Sequence, residues 1–372
     1  MRIAVAAILV CAALTAPGVS LGDLQIEGYQ PNLHDRFYVG DDRAFIGEAF
    51  DWSGVGRDEG HGYQWAVMIS PTYFVTAGHW PPNDYDTLTF HEDNSPTGAV
   101  HQYQVAPVSY YATTLRVGGT TYPSDLYLGK LTAPIPESDH ITYYPVLDLP
   151  TTGAYVGLPI YVNGKPNRVG RNVIDRFVIE EEGSPVNKAT LSMEYDYNTT
   201  TGLGADECYL MVYDSGGPSF VNVGGRLALV GIHYYNDGTP PANGKSSGDS
   251  FVPYYIDQLN AHMAGEQLQT LAPLAGDANV DGIVDQADYT VWYNRYGSTG
   301  ATWSDGDFNS DGGVDQADYT VWYNNYGRSG TAAAPEPTTI CLMAMGGMAT
   351  LRARRRIGPQ QVPGGRHPCI DA

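Results

Sequence analysis

From Trp65 to Trp80 the chain reads WAVMISPTYFVTAGHW, two apolar runs of strand length separated by Ser70-Pro71. A turn pair between short β-rich runs predicts two consecutive strands, with His79 just past the second. Ser124 to Leu131, SDLYLGKL, alternates polar and apolar side chains, as a half-buried strand does. Leu227 to Tyr235, LALVGIHYY, predicts another strand behind the glycine-rich segment YDSGGPSF at 213–220. Helical spacing emerges only near the end. There Tyr289, Trp292, Tyr293 and Tyr296 fall at i, i+3, i+4 and i+7, as do Tyr319, Trp322, Tyr323 and Tyr326, and Gly297 and Gly327 close the two stripes. The 44 Gly, 25 Pro and 28 Tyr agree with an all-β body punctuated by turns.

The two ends differ from the body. Met1-Arg2, the apolar run 3–16 and the small residues before Asp23 have the layout of a secretory signal peptide, expected over 1–22 with cleavage before Asp23. Asp and Glu total 41 against 20 Lys and Arg, which argues against a nucleic-acid partner and for an extracellular, calcium-rich setting. Of four cysteines, Cys11 lies in the leader and Cys341 and Cys369 in the tail. Cys208 is left alone, so the exported body has no internal disulfide and depends on core burial and bound metal.

The segment VDQADYTVWYN occurs twice, from Val284 and from Val314, each time behind an Asp-rich loop. Calcium takes six to eight oxygens, and EF-hand spacing supplies them from loop positions 1, 3, 5, 7, 9 and 12, with glycine at 6. Those positions hold Asp277, Asn279, Asp281, the Ile283 carbonyl, Asp285 and Asp288, and then Asp307, Asn309, Asp311, the Gly313 carbonyl, Asp315 and Asp318. Asp stands at position 12 and no helical pattern enters either loop. Over 276–328 this resembles the type I dockerin module. The resemblance implies two calcium ions and a cohesin-like partner, with Gln286-Ala287 and Gln316-Ala317 at the recognition positions.

His79, Asp125 and Ser215 lie in VTAGHW, SDLYLGKL and YDSGGPSF, in that order. A serine hydroxyl needs an imidazole to take its proton and a carboxylate to fix the imidazole tautomer. Together the three segments resemble the chymotrypsin/trypsin-like peptidases over nearly the whole body. The resemblance implies two six-stranded antiparallel β-barrels, with Ser215 as nucleophile, His79 as base then acid, and Asp125 orienting His79. It also implies an oxyanion hole from the N–H groups of Tyr213 and Ser215, and no cofactor for catalysis. Counting back six residues from Ser215 puts Tyr209 at the base of the specificity pocket, with Tyr234, Tyr235 and Asn236 along its wall. Tyr213 replaces the family's glycine, Gly78 and Trp80 flank His79 in place of Ala and Cys, and no Ile-Val-Gly-Gly start is present.

Pro335-Glu336-Pro337, a 14-residue apolar run and then Arg352, Arg354, Arg355 and Arg356 resemble the PEP-CTERM sorting signal, which implies processing by an exosortase-type enzyme. As a helix that run is about 21 Å long, short of the roughly 30 Å of a bilayer core. The expected organisation is a leader (1–22), an N-terminal segment with propeptide character (23–44), a peptidase body (45–265), a linker (266–275), the dockerin-like module (276–328), a second linker (329–334), the sorting signal (335–356) and an extension (357–372). The function expected is a secreted or envelope-bound serine endopeptidase acting on polypeptides. The competing expectation is an inactive trypsin-like body serving as an extracellular adhesion or scaffold protein, which rests on Tyr213 and on the missing activation start.

Overall fold

The two apolar runs ahead of His79 become the adjacent antiparallel strands Gln64–Met68 and Tyr73–Ala77 in the computed structural model, and both are buried along their whole length. The structure describes residues 22–330 except 59, 61, 198–201 and 239–243, and these residues fall in one compact unit ending at Ala332. The leader up to residue 21, residues 331–334 of the second linker, the sorting signal and the extension lie outside the described residues.

Continuous apolarity in these two strands has a direct cause. Ala66, Met68 and Phe74 point into a core with Leu88, Phe90, Val105 and Leu131. The alternate residues Trp65, Val67, Ile69, Val75 and Ala77 pack against Phe220, Leu229, Ile232 and Tyr255 from the later half of the chain. Side chains alternate between faces along a strand, so a strand covered on both faces must be apolar throughout.

Among the described residues the first sheet has seven antiparallel strands, in the order Val100–Gln104, Thr87–His91, Val55–Asp58, Gln64–Met68, Tyr73–Ala77, Thr120–Lys130, Tyr111–Val117. It closes on itself where Val105 bridges Leu131 and the Ala106 N–H donates to the Lys130 carbonyl at 2.8 Å. The second has nine strands. Seven run in the order Arg168–Val173, Pro159–Gly164, Pro218–Val223, Arg226–Asn236, Lys245–Phe251, Lys188–Tyr197, Arg176–Glu182, all antiparallel. Val146–Leu147 and Thr270–Leu271 add parallel pairings beside Leu229.

The expected mostly β body of two sheets is met, but the expectation of six antiparallel strands in each barrel is corrected to seven and nine, with parallel pairings in the second. Part of the difference comes from segments expected to lie outside the body. In the stretch taken as a linker, 266–275, Thr270–Leu271 pairs with Val146–Leu147. In the N-terminal segment, Gln25–Ile26 pairs with Cys208–Tyr209, and Leu24, His34 and Arg36 are buried. Cys208, a member of that pairing, is free and buried.

The repeats form helices Gln286–Arg295 and Gln316–Asn325, each behind its Asp-rich loop, and a short 3-10 turn, Trp303–Asp305, precedes the second loop. Trp292 and Trp322 are buried and cross over, each indole N–H donating at 2.8 Å to a carbonyl at the opposite loop's end, Asp315 and Asp285. The outer half of each aromatic stripe, Tyr293, Tyr296, Tyr323 and Tyr326, is exposed, each ring resting against another ring of its own stripe.

Candidate active site

His79, Asp125 and Ser215 come from three elements that the fold brings together between the two sheets. His79 follows the Tyr73–Ala77 strand, Asp125 lies within Thr120–Lys130, and Ser215 sits in the turn before Pro218–Val223. Strand pairing fixes the first two, with Ala77 opposite Leu126 and the Gly78 N–H donating to the Asp125 carbonyl at 2.6 Å. Gly78 is required by contact, since a Cβ there would lie 2.4 Å from the Tyr127 ring.

The Ser215 turn is held on both sides. Gly216 donates to the His233 carbonyl at 2.9 Å and His233 donates to that of Gly217 at 2.8 Å. Gly216 has φ +88°, a conformation that favours glycine. At Gly217 a Cβ would lie 2.7 Å from the His233 ring.

The polar contacts form a chain. His79 Nδ1 lies 2.7 Å from Asp125 Oδ2, and His79 Nε2 lies 2.8 Å from Ser215 Oγ. A carboxylate only accepts, so Nδ1 carries the proton and Nε2 accepts from the serine hydroxyl. Asp125 is fully buried, while His79 is partly open to solvent. Behind Asp125 lie groups that no sequence motif marked. Lys188 Nζ reaches Asp125 Oδ1 at 3.1 Å and the Thr190 hydroxyl accepts the Asp125 N–H at 2.8 Å, both from the Lys188–Tyr197 strand. Lys188 also meets Glu182 at 3.4 Å, and Glu182 accepts the Tyr234 hydroxyl, whose ring lies 5.8 Å from that of His79.

Tyr213 adopts φ +80°, so the conformation a glycine would take is held by a tyrosine. Its carbonyl accepts the Trp65 indole N–H at 3.0 Å, which fixes the peptide's direction. Among the described residues neither the Tyr213 nor the Ser215 N–H donates a hydrogen bond. Asp214 is buried between them in sequence, and its carboxylate accepts the N–H groups of Lys165 and Met211, both at 2.7 Å. Burial pushes its pKa up to about 7 against the lowering effect of those two donors. At His233 burial alone would lower the pKa, but Asp249, 2.9 Å away, outweighs it and raises it.

Beside Ser215 lies a cavity of about 340 Å³ lined by Leu210, Met211, Val212, Tyr234, Tyr235 and Asn236 among others. Of the residues expected at the specificity pocket, Tyr234, Tyr235 and Asn236 line this cavity. Tyr209 is not among the lining residues, because its strand pairing with Gln25 turns the ring into a buried cluster with Tyr197 and Met211, where its hydroxyl donates to the Gly238 carbonyl at 2.7 Å. A more open groove of about 590 Å³ continues on the far side of His79, past Trp80, Pro81 and Tyr110.

In the Asp-rich loops every sequence-predicted residue occupies equivalent places in the two copies. Asp277, Asp288 and Asp318 are fully buried and Asp307 nearly so. Gly282 and Gly312 at position six have φ +85° and +87°. Asp277 accepts from the N–H of Asp281 and Gly282, as Asp307 does from Asp311 and Gly312. Asp285 and Asp315 cap the following helices, and Asp288 and Asp318 complete the capping boxes. Asn279 and Asp281 bond each other, and no cluster of three acidic, His or Cys side chains is drawn to a common point among the described residues. Burial, with Asp288 and Asp281 adding to it, pushes the Asp277 carboxyl up to about 7, and burial likewise raises Asp288 and Asp307.

Comparison with known proteins gives two family matches. The Trypsin family model matches residues 42–253, and the PEP-CTERM protein-sorting motif matches residues 333–356. No curated protein matches the chain.

Proposed function

The chain belongs to the trypsin family, and from that membership we propose that it is a serine endopeptidase in which Ser215, His79 and Asp125 carry the chemistry. The observation carrying this reading is the unbroken contact chain Ser215 Oγ, His79 Nε2, His79 Nδ1, Asp125 at 2.8 and 2.7 Å. Ser215 attacks the peptide carbonyl as His79 takes its proton, and His79 then returns that proton to the leaving amine. Asp125 keeps Nδ1 protonated and steadies the imidazolium. The undonated N–H groups of Tyr213 and Ser215 receive the developing oxyanion, each worth about 3 kcal/mol at the transition state.

The cavities on either side of His79 favour an extended polypeptide. The wall of Leu210, Met211, Tyr234 and Tyr235 favours an uncharged side chain next to the cleaved bond. The scaffold alternative rested on Tyr213 and on the missing activation start; against the first, the tyrosine already holds the left-handed conformation a glycine would take. Fluorophosphonate labels only an activated serine, so it should label the wild-type chain and not Ser215→Ala, which should also lose casein hydrolysis while folding normally. Labelling that persists in Ser215→Ala would end the assignment.

For the repeats, the reading is that residues 276–328 take two calcium ions through Asp277, Asn279, Asp281, the Ile283 carbonyl, Asp285 and Asp288 and their counterparts from Asp307 to Asp318. Support comes from the matching loop shapes, the glycine at position six, and crowded, buried carboxylates, with burial and then the neighbouring Asp288 and Asp281 raising the pKa of Asp277. A divalent ion neutralises that crowding, and no catalytic step depends on it. A cohesin-like partner for the repeats remains a proposal on the dockerin resemblance. The matched sorting motif supports an extracellular or surface location after exosortase-type processing.

A further inference from the structure

We infer that Lys188 is a positioning residue of the site, its ammonium group offsetting part of the Asp125 charge and so setting how readily His79 takes up a proton. This rests on the reading of His79 and Asp125 as base and orienting acid.

Asp125 is fully buried and its two carboxylate oxygens are divided between an imidazole and an ammonium group. Oδ2 faces His79 at 2.7 Å and Oδ1 faces Lys188 at 3.1 Å. The lysine comes from the opposite sheet, on the same strand as Thr190, whose hydroxyl takes the Asp125 N–H. That strand therefore grips the acid twice, once through backbone and once through charge.

The groups facing this set are few. Lys188 meets Asp125 and Glu182; Glu182 takes the Tyr234 hydroxyl; the Tyr234 ring flanks His79. Tyr255, packed behind the strand, accepts the Leu191 N–H through its hydroxyl. Burial would lower the Lys188 pKa, but Asp125 and then Glu182 outweigh it and raise it. Lys188 is thus charged throughout the range in which an imidazole titrates.

A fixed cation beside the carboxylate reduces the field that favours the imidazolium. A carboxylate beside that cation restores part of it. The two neighbours therefore act with opposite sign, which a purely structural role would not do. Removing Lys188 makes proton uptake by His79 easier, and removing the Glu182 charge makes it harder.

The test follows the His79 ring signals by NMR against pH in the full chain carrying Ser215→Ala, which cannot digest itself. With Lys188→Met the midpoint of the His79 titration should rise by about one pH unit, a tenfold change in proton affinity. Lys188→Arg should restore the original midpoint. Glu182→Gln, whose amide oxygen can still accept from Tyr234, should move it downward. In the active chain the acid limb of kcat/KM should move in the same directions. An unmoved midpoint in Lys188→Met, or a shift of the same sign in both charge-removing variants, overturns the proposal. If Lys188→Met fails to fold, Glu182→Gln decides alone, with a downward shift supporting the proposal and an unchanged midpoint overturning it. Because the titration needs no turnover, a wild-type chain unlabelled by fluorophosphonate would sink the peptidase reading and leave this result standing.

Discussion

Tyr213 carries the sharpest conflict between local preference and local geometry. An L-residue in the left-handed region costs roughly 1–2 kcal/mol, and here the Trp65 hydrogen bond to its carbonyl and the Lys165 ammonium 4.8 Å from its ring accompany that conformation. Tyr213→Gly should therefore keep fluorophosphonate labelling and melt no lower than wild type, whereas a loss of labelling would show that the side chain itself is needed. Asp125→Asn should leave the fold intact and slow hydrolysis by about 10⁴, because the amide presents the wrong tautomer of His79. Asp214 gives a pH signature. A carboxyl raised to about 7 in the fold stays protonated between about pH 4 and 7, where the unfolded chain has already ionised. Its contribution to stability therefore declines as pH rises through that window, and Asp214→Asn should flatten that part of a melting-temperature profile. The meeting of His79, Asp125 and Ser215 could be expected from the chain because three short segments carry them in a fixed order. Lys188, Thr190 and Glu182 could not, because their approach to Asp125 is created by the packing of one sheet on the other, and Tyr209 was misplaced because counting residues ignores which face a strand turns inward.

At the scale of elements, the long periodic strands and the loop-helix repeats could be read from the chain, while Gln25–Ile26, Val146–Leu147 and Thr270–Leu271 could not. Two residues carry no periodicity, and such strands exist only because an open edge awaits them. The exposed outer half of the aromatic stripes was hidden for a related reason, since spacing gives the face of a helix but not what covers it. In the loops, two duties are superposed on the same aspartates. Asp285 and Asp288 cap a helix as well as standing at the proposed calcium positions. Asp281, by contrast, supports only the loop itself, accepting the Ile283 N–H at 2.9 Å. Asp285→Ala should consequently lower stability in chelator by about 1 kcal/mol, and Asp281→Asn should weaken calcium binding while changing the chelated protein little. Calorimetry should count about two calcium ions per chain; equal effects of the two variants in chelator would remove the distinction.

Across the whole molecule, the repeats do not stand apart from the body in the way their sequence boundary implied. One core runs from Leu147, Ala154 and Leu158 of the second sheet's surroundings into Ala278, Val280, Trp303 and Phe308 of the repeats. The Val280 carbonyl, inside the first Asp-rich loop, accepts the N–H of Gly224 at 3.1 Å. Gly224 is in the turn between Pro218–Val223, which leads directly from Ser215, and Arg226–Asn236. Ser304 reaches the Val156 carbonyl at 3.3 Å from the other side. The backbone of this loop braces the hairpin behind Ser215, so the proposed calcium binding would bear on the body's stability, and the packing favours a body that does not fold independently of the repeats. Ending the chain at residue 275 exposes barrel side chains now covered by Val280 and Trp303, a loss on the order of a few kcal/mol, and at this size about 2–4 °C accompanies each kcal/mol. The truncated chain should therefore melt several degrees lower than the full chain. Chelator should shift the single transition of the full chain downward and leave the truncated chain unmoved. Two separate transitions in the full chain, with only the smaller one sensitive to chelator, would show instead that body and repeats fold as independent units.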